Sequence, residues 1–179
     1  DTIIRKRKLK NAIEIFKFHI ISYLFVRYFC LSSSFPLHIS NLENLNKSIS
    51  LVSILIGVNR DDGTLKESIK SITSQTYKNL QIIIVNDGSC KNVSNIINSF
   101  KDNRIDLIES AKIGLTKALN LGLKNAKGHY IARHDAGDFS LKNRIEKQVS
   151  FLSNNSSIAM CGTFVSELSV DGIELGIIK

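Results

Sequence analysis

The sequence predicts an α/β protein with a mostly parallel sheet flanked by helices. Two observations carry this prediction. LVSILIGV (51–58) and LQIIIV (80–85) are continuous apolar runs, as in strands buried on both faces. Stretches with helical spacing alternate with such runs, and that alternation builds βαβ units.

After the first strand, Thr64 to Glu67 has the form of a capping box, with Leu65, Ile69 and Ile72 following at helical spacing. NVSNIINSF (92–100) is a short helix candidate, and RIDLIE (104–109) alternates weakly, like an edge strand. Leu115, Ala118, Leu119, Gly122, Leu123 and Ala126 form a helical stripe. HYIAR (129–133) reads as a fourth strand, LKNRIEKQVSFL (141–152) as a helix and IAMCGTFV (158–165) as a fifth strand. Asp171-Gly172 suggests a turn before IELGII.

The 179 residues suffice for one domain with a sizeable core and an appendage. A 43% hydrophobic and 22% charged composition is globular rather than disordered. Residues 1–30 are expected to form a basic, apolar helical extension, 31–50 a linker around Pro36, and 51–179 the folded domain.

The net charge of +8 is unevenly placed. Arg5, Lys6, Arg7, Lys8, Lys10, Lys17 and Arg27 face only Asp1 and Glu14 in the first 30 residues. A nucleic-acid-binding domain would concentrate charge on its folded body, so nucleic acid is not expected. An anionic membrane surface suits RKRKLK better. Residues 12–31 are apolar but contain Glu14, Lys17, His19 and Arg27. Three readings stay open for them: an interfacial helix, a helix packed on a partner, or a poorly fitting span. The expected location is cytoplasmic, peripheral at the inner face of the plasma membrane. Cys30, Cys90 and Cys161 have no metal or disulfide spacing and read as free thiols. The chain begins with Asp, so an upstream start is expected.

In parallel sheets ligands bind beyond the carboxyl ends of the strands. Strand one ends in Val58-Asn59-Arg60-Asp61-Asp62, strand two in Asn86-Asp87-Gly88-Ser89, and strand four in Arg133-His134-Asp135-Ala136-Gly137-Asp138. Turn chemistry alone explains any one of these endings. Three together point to a site that binds a nucleotide diphosphate with Mg²⁺ or Mn²⁺. Neither GxGxxG nor GxxxxGK[ST] occurs.

VSILIGVNR, SITSQTYKNLQIIIVNDGS, GLTKALNLGLKNAKGHYIARHDAGD and NRIEKQVSFL resemble, in order, the blocks of family-2 glycosyltransferases of the bacterial surface-polysaccharide type. The resemblance covers roughly residues 51–165 and implies the Rossmann-like GT-A fold. It also implies transfer of a sugar, usually with inversion, from a nucleotide-sugar donor (a UDP-sugar is favoured) to a glycan or lipid-linked acceptor. On it, Gly57, Val58 and Asn59 would line the base, and Asp87 would hydrogen-bond it. Asn86 stands where the family has its first Asp. Lys117 would face the nucleotide and Arg133 the phosphate, although both also suit ordinary surface roles. Asp135 would contact ribose or metal, and Asp138 would serve as a substitute metal ligand. The principal metal-ligand position falls on Gly137, which puts metal dependence in question. His134 is expected to be structural, because it should point away from Asp135.

Only 41 residues follow Asp138, so the chain is expected to stop before the acceptor half, and no catalytic base is named. A non-catalytic nucleotide-sugar-binding fragment is the alternative. A sugar-nucleotide nucleotidyltransferase would need a Gly-rich basic loop after strand one, and NRDDGT is not one.

Overall fold

The computed structural model describes residues 2–5, 50–169 and 174–178. The expected helix over 12–31, the linker through residue 49, Cys30 and the Asp171-Gly172 turn lie outside them.

In chain order the elements are β1 (Thr2–Arg5), β2 (Val52–Val58), α1 (Leu65–Thr73), β3 (Leu80–Asp87), α2 (Lys91–Ser99) and β4 (Ile105–Ser110). They continue with α3 (Leu115–Asn125), β5 (Tyr130–Arg133), α4 (Arg144–Asn154), β6 (Met160–Gly162), β7 (Val165–Leu168) and β8 (Glu174–Ile178). The main sheet has the order β4-β3-β2-β5-β1-β6. Strand β2 runs parallel to β3 and β5, and β3 parallel to β4. Strand β1 is antiparallel to both of its neighbours.

Side-chain parity sorts the apolar runs into two layers. Ile54, Ile56, Ile82 and Ile84 face α1, α2 and α4, where Ile69, Ile72, Val93, Ile97, Ile145 and Leu152 complete the larger core. Leu55, Ile83 and Val85 face the other way and pack on Ala118 and Ala126 at α3. Gly122 lets α3 lie close: a Cβ there would sit 3.4–3.6 Å from Val85, Leu55 and Ile83.

At the amino ends of the strands a polar strap fixes register. Buried Ser53 donates to Gln81 Oε1 at 2.6 Å and accepts from the Gly128 N–H at 2.8 Å. Gln81 Nε2 reaches Asp106 at 2.8 Å. That end of the sheet satisfies its own polar groups, as buried groups must.

Three expectations are corrected. Residues 2–5, expected within a helical extension, form strand β1; Thr-Ile-Ile is β-branched, and the strand's backbone pairs on both sides. The expected fifth strand over 158–165 divides into β6, in the main sheet, and the start of β7, which pairs with β8 in a separate hairpin. An apolar run shows no sign of where its partner changes. The capping box at Thr64 does not form: Thr64 caps nothing with its side chain, and its hydroxyl donates instead to Asp62 Oδ1.

Candidate nucleotide-sugar site at the strand ends

The parallel register sets Val58 opposite Asn86 and Leu55 opposite Arg133, so the ends of β2, β3 and β5 come together. A cavity of about 350 Å³ opens there. Gly57, Val58, Asn59, Arg60 and Asp62 line it from β2 and the loop beyond. Asp87 lines it from β3, Leu115 and Ala118 from the first turn of α3, and Asp135 and Ala136 from the turn after β5. A Cβ on Gly57 would approach Leu115 Cδ1 to 2.7 Å, so glycine lets α3 come down on the strand end.

Asp87 is buried, and it anchors the start of α3. Oδ1 accepts the Ile113 N–H at 2.5 Å, and Oδ2 accepts the Gly114 N–H at 2.9 Å. Gly114, the N-cap of α3, has φ +88°, a conformation natural to glycine. An ionised carboxylate has about four acceptor sites, so Asp87 retains capacity toward the cavity.

The acidic turn after β5 is clamped from below. Asp135 is gripped by Arg133, with Nε–Oδ1 at 2.8 Å and Nη2–Oδ2 at 3.0 Å. His134 is fully buried, as expected for a structural residue; its Nε2 lies 2.9 Å from Ser68 Oγ and its Nδ1 3.3 Å from Ser140 Oγ. Arg144 donates to the Arg133 carbonyl at 2.9 Å and to Ser140 Oγ at 2.6 Å. Burial, with the Arg144 guanidinium beside it, lowers the His134 pKa to about 4. Burial also lowers Arg144 to about 10. Buried Gln75 holds the Leu141 carbonyl and the Ile145 N–H. The turn thus stands on α1 and α4 together.

In the loop after β2, Asp61 Oδ1 accepts the Gly63 N–H at 2.9 Å. Asp62 Oδ1 accepts both the Thr64 N–H at 3.1 Å and the Thr64 hydroxyl at 2.5 Å. The hydroxyl bond is the main reason the Asp62 carboxyl lies below the usual carboxylate range.

Of the residues expected from sequence, Gly57, Val58, Asn59, Asp87 and Asp135 meet at the cavity. Lys117 lies on the exposed side of α3, and Arg133 reaches the site through Asp135. Asp138 is exposed and outside the cavity lining; its charge acts instead on Arg144 and His134, offsetting part of the lowering that burial causes in both. Arg60, Asp62 and Ala136 fall within the strand endings that the sequence marked but were given no role, and Leu115 and Ala118 were missed as lining residues. The DD pair following a strand was the one available signal for Asp62. Leu115 looked like core because its stripe continues into the core.

A family model described as glycosyl transferase family 2 matches residues 53–177. The chain belongs to glycosyl transferase family 2. Among curated relatives, the putative glycosyltransferase EpsE of Bacillus subtilis is 39% identical over 116 residues, covering 63% of this chain and 42% of EpsE. The UDP-Glc:alpha-D-GlcNAc-diphosphoundecaprenol beta-1,3-glucosyltransferase WfaP of Escherichia coli is 40% identical over 105 residues, covering 58% of this chain and 42% of WfaP. The chain thus spans about two fifths of these relatives. The mannosyltransferase PcManGT of Pyrobaculum calidifontis, solved with GDP-Man and Mn²⁺, superposes with a TM-score of 0.55 at 19% identity over 59% of this chain and 33% of that one. Staphylococcus aureus TarS 1-349 with UDP gives 0.52 at 19% identity, with the same coverage. These likenesses show the GT-A fold.

A divalent cation takes hard oxygen ligands, and the carboxylates lining this family-2 cavity are those of Asp62, Asp87 and Asp135, the last already paired with Arg133. No group of three or more His, Cys, Asp or Glu side chains suited to a metal occurs among the described residues. No helix of the described residues is long and apolar enough to cross a membrane.

Proposed function

We propose that this family-2 protein binds a nucleoside-diphosphate sugar in the cavity and transfers the sugar, with inversion, to a glycan or lipid-linked acceptor. A UDP-sugar is the favoured donor, in keeping with the ligands named for TarS and WfaP. The observation that carries the reading is the meeting of Asp87 and Asp135 across one cavity at three strand ends. Val58 and Asn59 bring backbone to the base edge, and Asp87 accepts from a base N–H while holding α3 in place. Asp135, oriented by Arg133, accepts from ribose hydroxyls or binds metal. A bound divalent cation supplies Lewis-acid stabilisation of the leaving diphosphate. Residues 1–30 add attraction to an anionic membrane surface.

Thermal unfolding with UDP and GDP, each with and without Mn²⁺, tests the donor site. At a hundredfold excess over Kd, a ligand specific for the folded state adds about 2.7 kcal/mol, a readable rise in Tm. No shift with any nucleoside diphosphate ends the donor reading. Release of free sugar or transfer from a UDP-sugar then tests turnover.

A further inference from the structure

Leu115 opens α3 with its side chain 44% exposed, although the next members of its helical stripe, Ala118 and Gly122, are buried. Two observations say where that side chain lies. It lines the cavity. It also lies against Gly57: a Cβ there would come to 2.7 Å from Leu115 Cδ1 and 3.7 Å from Leu119 Cδ2. Gly57 is not among the glycines of positive φ, so its backbone does not call for glycine. The leucine packed on it does.

The rest of the lining is of another kind. Asn59, Arg60, Asp62, Asp87 and Asp135 are polar or charged, Val58 and Ala118 are buried, and Ala136 is small. Leu115 is therefore the one large apolar side chain that the described lining exposes to a ligand. The backbone also sets it beside Asp87, which accepts the N–H groups of Ile113 and Gly114, the two residues directly before Leu115. A nucleobase has polar edges and flat faces, and the faces gain from apolar or aromatic contact. A base whose edge donates to Asp87 has Leu115 within reach of its face.

We propose that Leu115 supplies the apolar contact for the face of the donor's base, and that Gly57 is the position that makes room for it. This rests on the donor reading above. Asp87 reads the edge of the base, Leu115 holds its face, and the glycine keeps the leucine out of the slot. A Cβ on Gly57 meets the free end of the Leu115 side chain rather than backbone, so the leucine is what moves, and its exposed side is the cavity.

The test is UDP binding by the intact chain, read by titration calorimetry, with the unliganded Tm as the check on folding. Leu115→Ala should weaken UDP by about tenfold, the lower end of what a lost apolar contact costs in a pocket. Leu115→Met is apolar and of similar volume and should bind as the parent does. Leu115→Asn is of similar size but polar and should lose affinity as the alanine variant does. Gly57→Ala should also weaken UDP, and combining it with Leu115→Ala should cost less than the product of the two single losses. In saturation-transfer NMR, irradiation of the methyl region should reach the uracil ring protons, and Leu115→Ala should diminish that transfer at saturating UDP. The inference is overturned if Leu115→Ala binds UDP as the parent does, if asparagine serves as well as methionine, or if the losses at Gly57 and Leu115 multiply independently. In those cases the donor site stands without it. A parent chain that binds no UDP removes the donor reading and this inference together.

Discussion

Asn86 Nδ2 donates to Glu109 Oε2 at 2.9 Å, tying the end of β3 to the end of the edge strand β4. The same amide reaches the Cys90 carbonyl and Ser94 Oγ, and its oxygen accepts the Cys90 N–H. Every partner of the nitrogen is an acceptor, so the site demands a donor. Asn where the family's motif has Asp is thus matched to Glu109.

Asn86→Asp should therefore destabilise the fold by about 1–3 kcal/mol, since a buried carboxylate would face acceptors and a second carboxylate. Urea midpoints at pH 7 measure this. Adding Glu109→Gln should recover part of the loss. A single variant as stable as the parent would contradict the pairing.

Asp87 has two duties, and substitutions separate them. Asp87→Ala leaves the Ile113 and Gly114 N–H groups without their acceptor and should cost about 1–3 kcal/mol, together with loss of UDP binding. Asp87→Asn keeps one acceptor oxygen and should cost less stability while still weakening UDP binding. Calorimetry with and without UDP reads both quantities.

His134 sets a pH window. Its folded pKa, about 4, lies below the ordinary value of 6.5. Between those values the unfolded chain binds more protons, so stability is full above 6.5 and falls as pH drops toward 4. The shift corresponds to about 3 kcal/mol. The groups facing the imidazole are Ser68 on α1, Ser140 and Arg144, with Asp135 and Asp138 nearby. Unfolding free energies from pH 7 to 4.5 should show the slope, and His134→Gln should flatten it. Asp62 and Asp102 have lowered pKa values and add losses of the same sign, but below pH 3.8.

Arg144→Lys should cost about 2–3 kcal/mol, because an ammonium cannot serve the Arg133 carbonyl, Ser140 and Gln148 from one planar fork. UDP affinity should fall with it, since the clamp carries the turn bearing Asp135. Unchanged affinity and stability would show that the turn stands without the guanidinium.

The sheet was legible because LVSILIGV and LQIIIV can be buried in no simpler way, and the site was legible because strand ends in parallel sheets face one edge. Asp87 and Asp135 followed from that rule alone. Asp62 belongs to the strand-one ending that the same rule marked, but its closeness to Gly137 joins loops 75 residues apart, and no periodicity encodes that. Gln75 and Arg144 were hidden for a similar reason: as polar residues after α1 and at the start of α4 they look like surface residues, and only their long-range bonds to Leu141 and Ile145 and to the Arg133 carbonyl show why they are buried. Thr64 fits a capping pattern, but Asp62 competes successfully for its hydroxyl.

Strand β1 also bears on assembly. Within the main sheet β6 pairs with β1 alone, and β1 covers the flank of β5. This seam joins residues more than 120 positions apart, so it closes against a large chain entropy and is expected to form late in folding. Until it forms, β5 presents a bare row of amide and carbonyl groups, a template for another chain's strand. A protein made without residues 1–5 should therefore self-associate, measurable as a rise in mass by light scattering. Thr2–Arg5 would then serve as the chain's protection against pairing with its own copies.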